Sequence, residues 1–114
     1  MDANDSSRRR RKRQLARPHE AGERIRLLVR SGHYHLSAHV VNGKIAQNDY
    51  LVEDVVDSIL SGTIDKVGRD EVGGSVDGKK YTILGQTRDG IFLYTVGKIV
   101  RADDGELYFV ITIY

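Results

Sequence analysis

The chain has 114 residues, of which 39% are hydrophobic and 30% charged, and it contains no cysteine. This length supports one small domain with a modest core. No apolar run approaches the ~18 residues of a membrane helix, and no signal-peptide pattern opens the chain. The absence of cysteine excludes disulfides and thiolate metal sites. We therefore expect a cytoplasmic protein without membrane contact.

The formal net charge of +2 is distributed unevenly along the chain. Residues 1–30 hold ten Lys/Arg against four Asp/Glu, whereas residues 31–114 hold eight against twelve. A block of cations repels itself and cannot be buried, so we expect a basic, flexible arm over 1–17 and a single domain over 18–114. The arm would either neutralise nucleic-acid phosphates or be a solvated terminal segment that aids solubility or docks on an acidic protein. The block consists of Arg8, Arg9, Arg10, Arg11, Lys12 and Arg13.

Three helices and a brief extended segment are predicted in the first half of the chain. Pro18 suits the first turn of a helix that Gly32 would end. Residues 33–36 favour a short extended segment, and Ser37 can cap a second helix. The third helix, 52–60, carries its apolar residues on one face. These residues are Val52, Val55, Val56, Ile59 and Leu60.

The second half of the chain reads as strands separated by Asp-Gly turns. Such pairs between β-rich runs are the strongest short-range hairpin signal. The predicted strands are 63–68, 79–85, 91–101 and 106–114, joined at Asp77-Gly78, Asp89-Gly90 and Asp104-Gly105. We therefore predict an α+β fold with N-terminal helices packed on a four-stranded antiparallel sheet.

Alternation along the last strand predicts which residues meet the helices. The row expected to face the helices is Leu107, Phe109, Ile111 and Ile113. On the other face Tyr108, Thr112 and Tyr114 would join Tyr94 and Lys98 in a polar, aromatic floor. Bases stack on such a floor, and Lys98 would pair with phosphate. The alternative is that Tyr and Thr are simply favoured on exposed strand faces.

The histidines and the missing motifs limit the chemistry. Histidine occurs at positions 19, 33, 35 and 39, and no acidic residue lies close to the last three to complete a metal set. Phosphate-binding loops, serine-nucleophile elbows and dinucleotide fingerprints are absent. We expect neither a metal nor a cofactor, so any catalysis would use His, Arg, Lys and Tyr. The alternative for each histidine is an ordinary surface or half-buried imidazole.

Four stretches occur in an order and spacing that resemble a known family. They are YHLSAHVV (34–41), VEDVVDSILSGTI (52–64), YTILGQTRDGIFLYTV (81–96) and YFVITIY (108–114). The chain from about residue 22 onward resembles the bacterial domain-of-unknown-function family 4258, a relative of the MqsR and RelE toxins. The resemblance implies a RelE-like fold and the toxin role in a type II toxin–antitoxin module. An MqsA-like zinc-finger antitoxin would be its partner.

The resemblance also implies metal-independent cleavage of mRNA, free or on the ribosome. A base deprotonates the ribose 2′-OH, which attacks the adjacent phosphate and leaves a cyclic phosphate end. His39 matches the family's recurrent histidine at a helix start. Tyr94 falls where many relatives have His, although a phenol is a poor base at neutral pH. Arg88 lies where the family is variable, and the Pro- and Trp-containing tail of relatives is missing.

Two function classes therefore remain open: an endoribonuclease, or a non-catalytic module on the same fold that binds nucleic acid or protein. The candidate catalytic residues are His39, Tyr94, Lys98 and Arg88. The candidate RNA-binding residues are those of the arginine-rich block together with Tyr108, Thr112 and Tyr114, of which the last two match the family's terminal strand.

Overall fold

The computed structural model describes residues 20–114. The predicted arm over 1–17 and the helix start at Pro18 lie outside them. Helix α1 covers 20–30, and β1 (Tyr34–Leu36) follows it. Helix α2 (Ala38–Val40) continues into a π-helical turn at Val41–Ile45, and α3 spans Val52–Ser61. The remaining strands are β2 (Thr63–Arg69), β3 (Lys79–Gln86), β4 (Phe92–Ala102) and β5 (Gly105–Ile113).

The sheet has five strands in the order β1-β5-β4-β3-β2. The α+β class is confirmed, but the prediction of four antiparallel strands is wrong, because β1 joins as a fifth strand parallel to β5. Three residues are too few to show an alternation that could reveal a strand. The free edge of β5 pairs with them instead. The Tyr108 N–H donates to the His33 carbonyl and the Ser37 N–H donates to the Val110 carbonyl, both at 2.9 Å.

The helices cover one face of the sheet and form the core with it. Helix α3 lies so close to β3 that a Cβ on Gly85 would overlap the carbonyl of Ser58. Only glycine permits this approach, and it lets α3 bury its apolar side. Polar groups tie α1 to its neighbours, since the Arg26 guanidinium donates to the Gly62 carbonyl at 3.2 Å. The buried apolar residues are Ile25, Val29, Leu36, Val40, Val55, Ile59, Tyr81, Ile83, Leu93, Ile99, Tyr108, Val110 and Ile113.

The face assignment predicted for β5 is wrong for residues 107–110 and correct for residues 112–114. Tyr108 and Val110 are buried under the helices, whereas Phe109 points to the opposite side with Leu107. The strand also carries one extra residue, Ile111, between the pairs Val96–Thr112 and Gly97–Val110. This bulge shifts the alternation, so that Ile113 is the one member of the predicted row that is buried as expected.

Glycine 97 explains why a tyrosine fits in the core. Gly97 is paired with Val110 of β5, and a Cβ on residue 97 would overlap the ring of Tyr108. The missing side chain leaves a space that the phenol ring fills. The sequence pattern of β5 carries no signal of this, because the space is provided by β4.

No helix among residues 20–114 covers the second face of the sheet, which we call the open face. Its side chains alternate with the buried ones along each strand. Several are apolar or aromatic and only half-buried. The open face includes His35, Leu84, Phe92, Tyr94, Val96, Lys98, Val100, Leu107, Phe109, Thr112 and Tyr114.

Candidate nucleic-acid interface

Two tyrosines stack at one end of the open face. Tyr94 and Tyr114 pair through their backbones, and each N–H donates to the other's carbonyl at 2.8 and 2.9 Å. Their ring centroids lie 5.0 Å apart, and the ring planes differ by 12°. Tyr114 is 60% exposed, and Phe92, two residues before Tyr94 on the same face, is 67% exposed. This corner of the sheet therefore presents flat aromatic surfaces to solvent.

A second stack lies on the same face, between β1 and β5. His35 is in register with Phe109, and their ring centroids lie 5.9 Å apart with planes 11° from parallel. The imidazole is exposed and the phenyl ring is half-buried. The sequence did not mark either residue as a site residue, because the pairing of β1 with β5 was not predicted.

Phe109 and Tyr114, the β5 members of the two stacks, are five residues apart, which corresponds to about 17 Å at a rise of ~3.4 Å per strand residue. Thr112 lies between them, in register with Val96 of β4. Thr112 is half-buried and its side chain is on the open face, as predicted. The open face therefore combines two aromatic platforms with a hydroxyl between them.

Lys98 is on the open face, as predicted, but its charge is already paired. Its Nζ atom lies 3.2 Å from Oδ1 of Asp70 and donates to the Gly73 carbonyl at 2.7 Å. The side chains of Lys98 and Asp70 are 10% and 2% exposed. The loop between β2 and β3 (70–78), which we call the β2–β3 loop, thus covers this ammonium group.

Asp70 is the organising residue of this loop. Its carboxylate also accepts the backbone N–H groups of Gly73 and Ser75, both at 3.1 Å. Burial by itself raises the pKa of Asp70, but hydrogen bonds from Ser75, Lys98 and Gly73 outweigh it and hold that pKa below its usual range. Asp70 is therefore ionised at neutral pH, and it neutralises Lys98.

The other two candidate catalytic residues lie elsewhere. His39 is exposed on α2, whose first turn is fixed by Ser37. The Ser37 hydroxyl accepts the Val40 N–H at 3.2 Å and donates to the Ile111 carbonyl at 2.7 Å. Arg88 follows β3 and faces Asp57 of α3, with 3.6 Å between Nε and Oδ2. The four candidate catalytic residues therefore do not form one cluster.

Tyr108 is not part of the open face. Its hydroxyl group is buried without a hydrogen-bond partner among residues 20–114. Burial, with a smaller contribution from Tyr81, raises the pKa of Tyr108 far above its ordinary value. The prediction that Tyr108 contacts RNA fails for this reason. Tyr114 and Thr112 remain available.

The remaining candidates concern ions, membranes and the arm. No three His, Asp or Glu side chains within 20–114 are placed to hold a metal ion. No helix in this part of the chain has the length and apolar character needed to cross a bilayer. The arginine-rich block, Arg8 to Arg13, lies outside the described residues, and its contact with RNA stays a prediction.

Comparisons of the chain with protein-family models, curated proteins and solved structures gave no match. The resemblance to the 4258 family and to the RelE fold therefore stays an expectation from sequence motifs. Function has to be argued from the open face itself.

Proposed function

We propose that this chain binds single-stranded RNA across the open face, with bases stacked on its two aromatic pairs. The observation that carries the proposal is the presence of both stacks on one uncovered sheet face. Every base has a flat π surface, and stacking on an aromatic side chain contributes about 1–3 kcal/mol per base. Sheets that bind RNA through exposed aromatics commonly stack two or three bases in this way.

The charge of the described residues supports an RNA strand that is held mainly by base stacking. Residues 20–114 hold eleven Lys/Arg against fourteen Asp/Glu. On the open face Lys66 and Lys80 are exposed, whereas Lys98 is neutralised by Asp70. Because residues 20–114 are net negative, most of the attraction for phosphate would come from the arginine-rich block. Deletion of residues 1–17 should therefore weaken RNA binding and flatten its dependence on salt.

The binding experiment uses a short fluorescent oligouridine and measures its anisotropy. Replacing Tyr114 or Phe109 with Ala should raise Kd about 5- to 100-fold, which corresponds to the loss of one stacked base. Leu27→Ala is the control, since Leu27 is 62% exposed on α1, on the covered side of the sheet. Duplex RNA of equal length should compete poorly because its bases are already stacked. Unchanged affinity in both aromatic variants would refute the proposal.

A second candidate function is metal-independent cleavage of the bound RNA, the activity of a type II toxin. The specific observation in its favour is the exposed imidazole of His35 within an aromatic stack of the proposed RNA face. An imidazole in this place would act as the base that takes the proton of a nearby 2′-OH. His39, four residues further along, supplies another exposed imidazole. An MqsA-like antitoxin would then be the protein partner.

Cleavage is tested separately from binding. We expect purified protein in a chelator to cut oligouridine and leave a 2′,3′-cyclic phosphate, detected by mass spectrometry. We further expect growth arrest with loss of mRNA when the wild-type chain is induced in a bacterium, and no arrest with His35→Gln or His39→Ala. Bound but intact RNA, with no arrest, would leave the chain as a binding module and refute the toxin.

A further inference from the structure

Charge and hydrogen bonds, rather than apolar packing, hold the tip of the β2–β3 loop to the sheet. The tip residues 71–74 are exposed, and Val72 is 94% exposed. The root of the loop is fixed by backbone hydrogen bonds, including the Val76 N–H to the Ile99 carbonyl at 2.9 Å. Beyond this root, Lys98 connects the tip to β4 through the Gly73 carbonyl and Asp70. Release of the tip would therefore expose little apolar surface.

Lys98 also stands next to one of the aromatic stacks. It is in register with Phe109, the partner of His35. Directly paired residues of neighbouring antiparallel strands have Cβ atoms about 4.5–5.5 Å apart. A nucleotide stacked on the His35–Phe109 pair thus carries its phosphate within reach of the Lys98 ammonium group, provided that Asp70 releases it.

We propose that Asp70 and Lys98 form a latch that opens when RNA binds. In the free protein Asp70 and the Gly73 carbonyl occupy the ammonium group. In the complex a phosphate of the stacked strand replaces them, and the loop tip moves away from the sheet. This inference rests on the proposed RNA binding and adds a regulated cation to the same face.

The latch would make binding selective for strands that also stack. A free anion has to displace a carboxylate and a carbonyl at once, without other contacts to help it. An RNA strand already stacked on Phe109 presents its phosphate at a high effective concentration, which favours the exchange.

Gly73 and Gly74 have φ of 91° and 98°, in the region that glycine adopts most readily, so the turn at the loop tip depends on them.

The test measures oligouridine affinity for Asp70→Asn, Lys98→Met and the double variant. Asp70→Asn should bind more tightly than wild type, because the phosphate no longer competes with a carboxylate for Lys98 and has only the Gly73 carbonyl to displace. Adding Lys98→Met should remove this gain and reduce the salt slope of log K by about one, the value of one phosphate contact. The control is Asp89→Asn, an equal charge change in an exposed Asp-Gly turn that Asn-Gly also forms.

Failure of the latch and failure of RNA binding give different results. If no variant binds oligouridine, the proposed function is wrong. If all variants bind and Asp70→Asn matches Asp89→Asn, the latch is refuted and the RNA face stands. Should Asp70→Asn unfold, hydrogen exchange on the wild type decides. The Gly73 amide should exchange faster when oligouridine is bound, and unchanged protection would overturn the latch.

Discussion

The position of Tyr108 under the helices can be tested through its neighbour Gly97. A Cβ at residue 97 would overlap the phenol ring, and Tyr108 is completely buried, so the ring has no free space to move into. Overpacking of this kind costs about 1–3 kcal/mol. Replacing a strand glycine with alanine returns about 0.5–1 kcal/mol through lower entropy of the unfolded chain. Gly97→Ala should therefore lower the free energy of unfolding by about 1–2 kcal/mol.

Urea unfolding followed by circular dichroism measures this change, with Gly68→Ala as the matched control. Gly68 is also a strand glycine, but a Cβ there would meet only the Lys80 side chain at an ordinary 3.8 Å. The control should be neutral or slightly stabilising. In the background of Tyr108→Leu, which removes the ring, Gly97→Ala should lose most of its effect, giving a coupling energy of about 1 kcal/mol or more. Additive effects would refute the packing.

Three further predictions concern buried groups. Because the folded pKa of Asp70 is lowered, its contribution to stability should be present at neutral pH and lost below about pH 4. In urea titrations Asp70→Asn should make the free energy of unfolding depend less on pH in this acidic range. The folded pKa of Tyr108 is raised, so the folded state resists ionisation of the phenol and its stability should fall as pH rises above about 10. Tyr108→Phe should remove that loss in thermal melts. Thr95→Val should raise the melting temperature by a few degrees, about 1 kcal/mol, since the Thr95 hydroxyl is buried without a partner among the described residues. A lower melting temperature for Thr95→Val would mean that the hydroxyl has a partner.

Local patterns predicted the elements well, because helix periodicity and Asp-Gly turns act over a few residues. Helix 52–60 and the four main strands lie within one or two residues of their expected bounds. Features that depend on two distant segments were not predicted. The segment 33–36 becomes a strand only because β5 offers a free edge. Tyr108 fits in the core because its ring fills the space beside Gly97 of β4.

The candidate site shows the same limit. Tyr94, Thr112 and Tyr114 were placed on the correct face by alternation within single strands. His35 and Phe109 were missed, since their contact requires β1 to pair with β5. The sequence also did not indicate that Lys98 is ion-paired, because its partner Asp70 is separated from it by the whole of β3. Residue type predicted a cation, whereas only the tertiary structure shows that this cation is neutralised.

The last strand, β5, is an interior strand of the sheet, and this position affects the order of assembly. β5 lies between β1 and β4, and each aromatic stack takes one residue from the final segment, Phe109 or Tyr114. Both stacks therefore stay incomplete during synthesis until residues 109–114 have been added. Because these contacts link residues far apart in sequence, they also form late and slowly in folding. Loss of residues 109–114 would therefore remove both stacks and, with Val110 and Ile113, part of the core that the helices pack on.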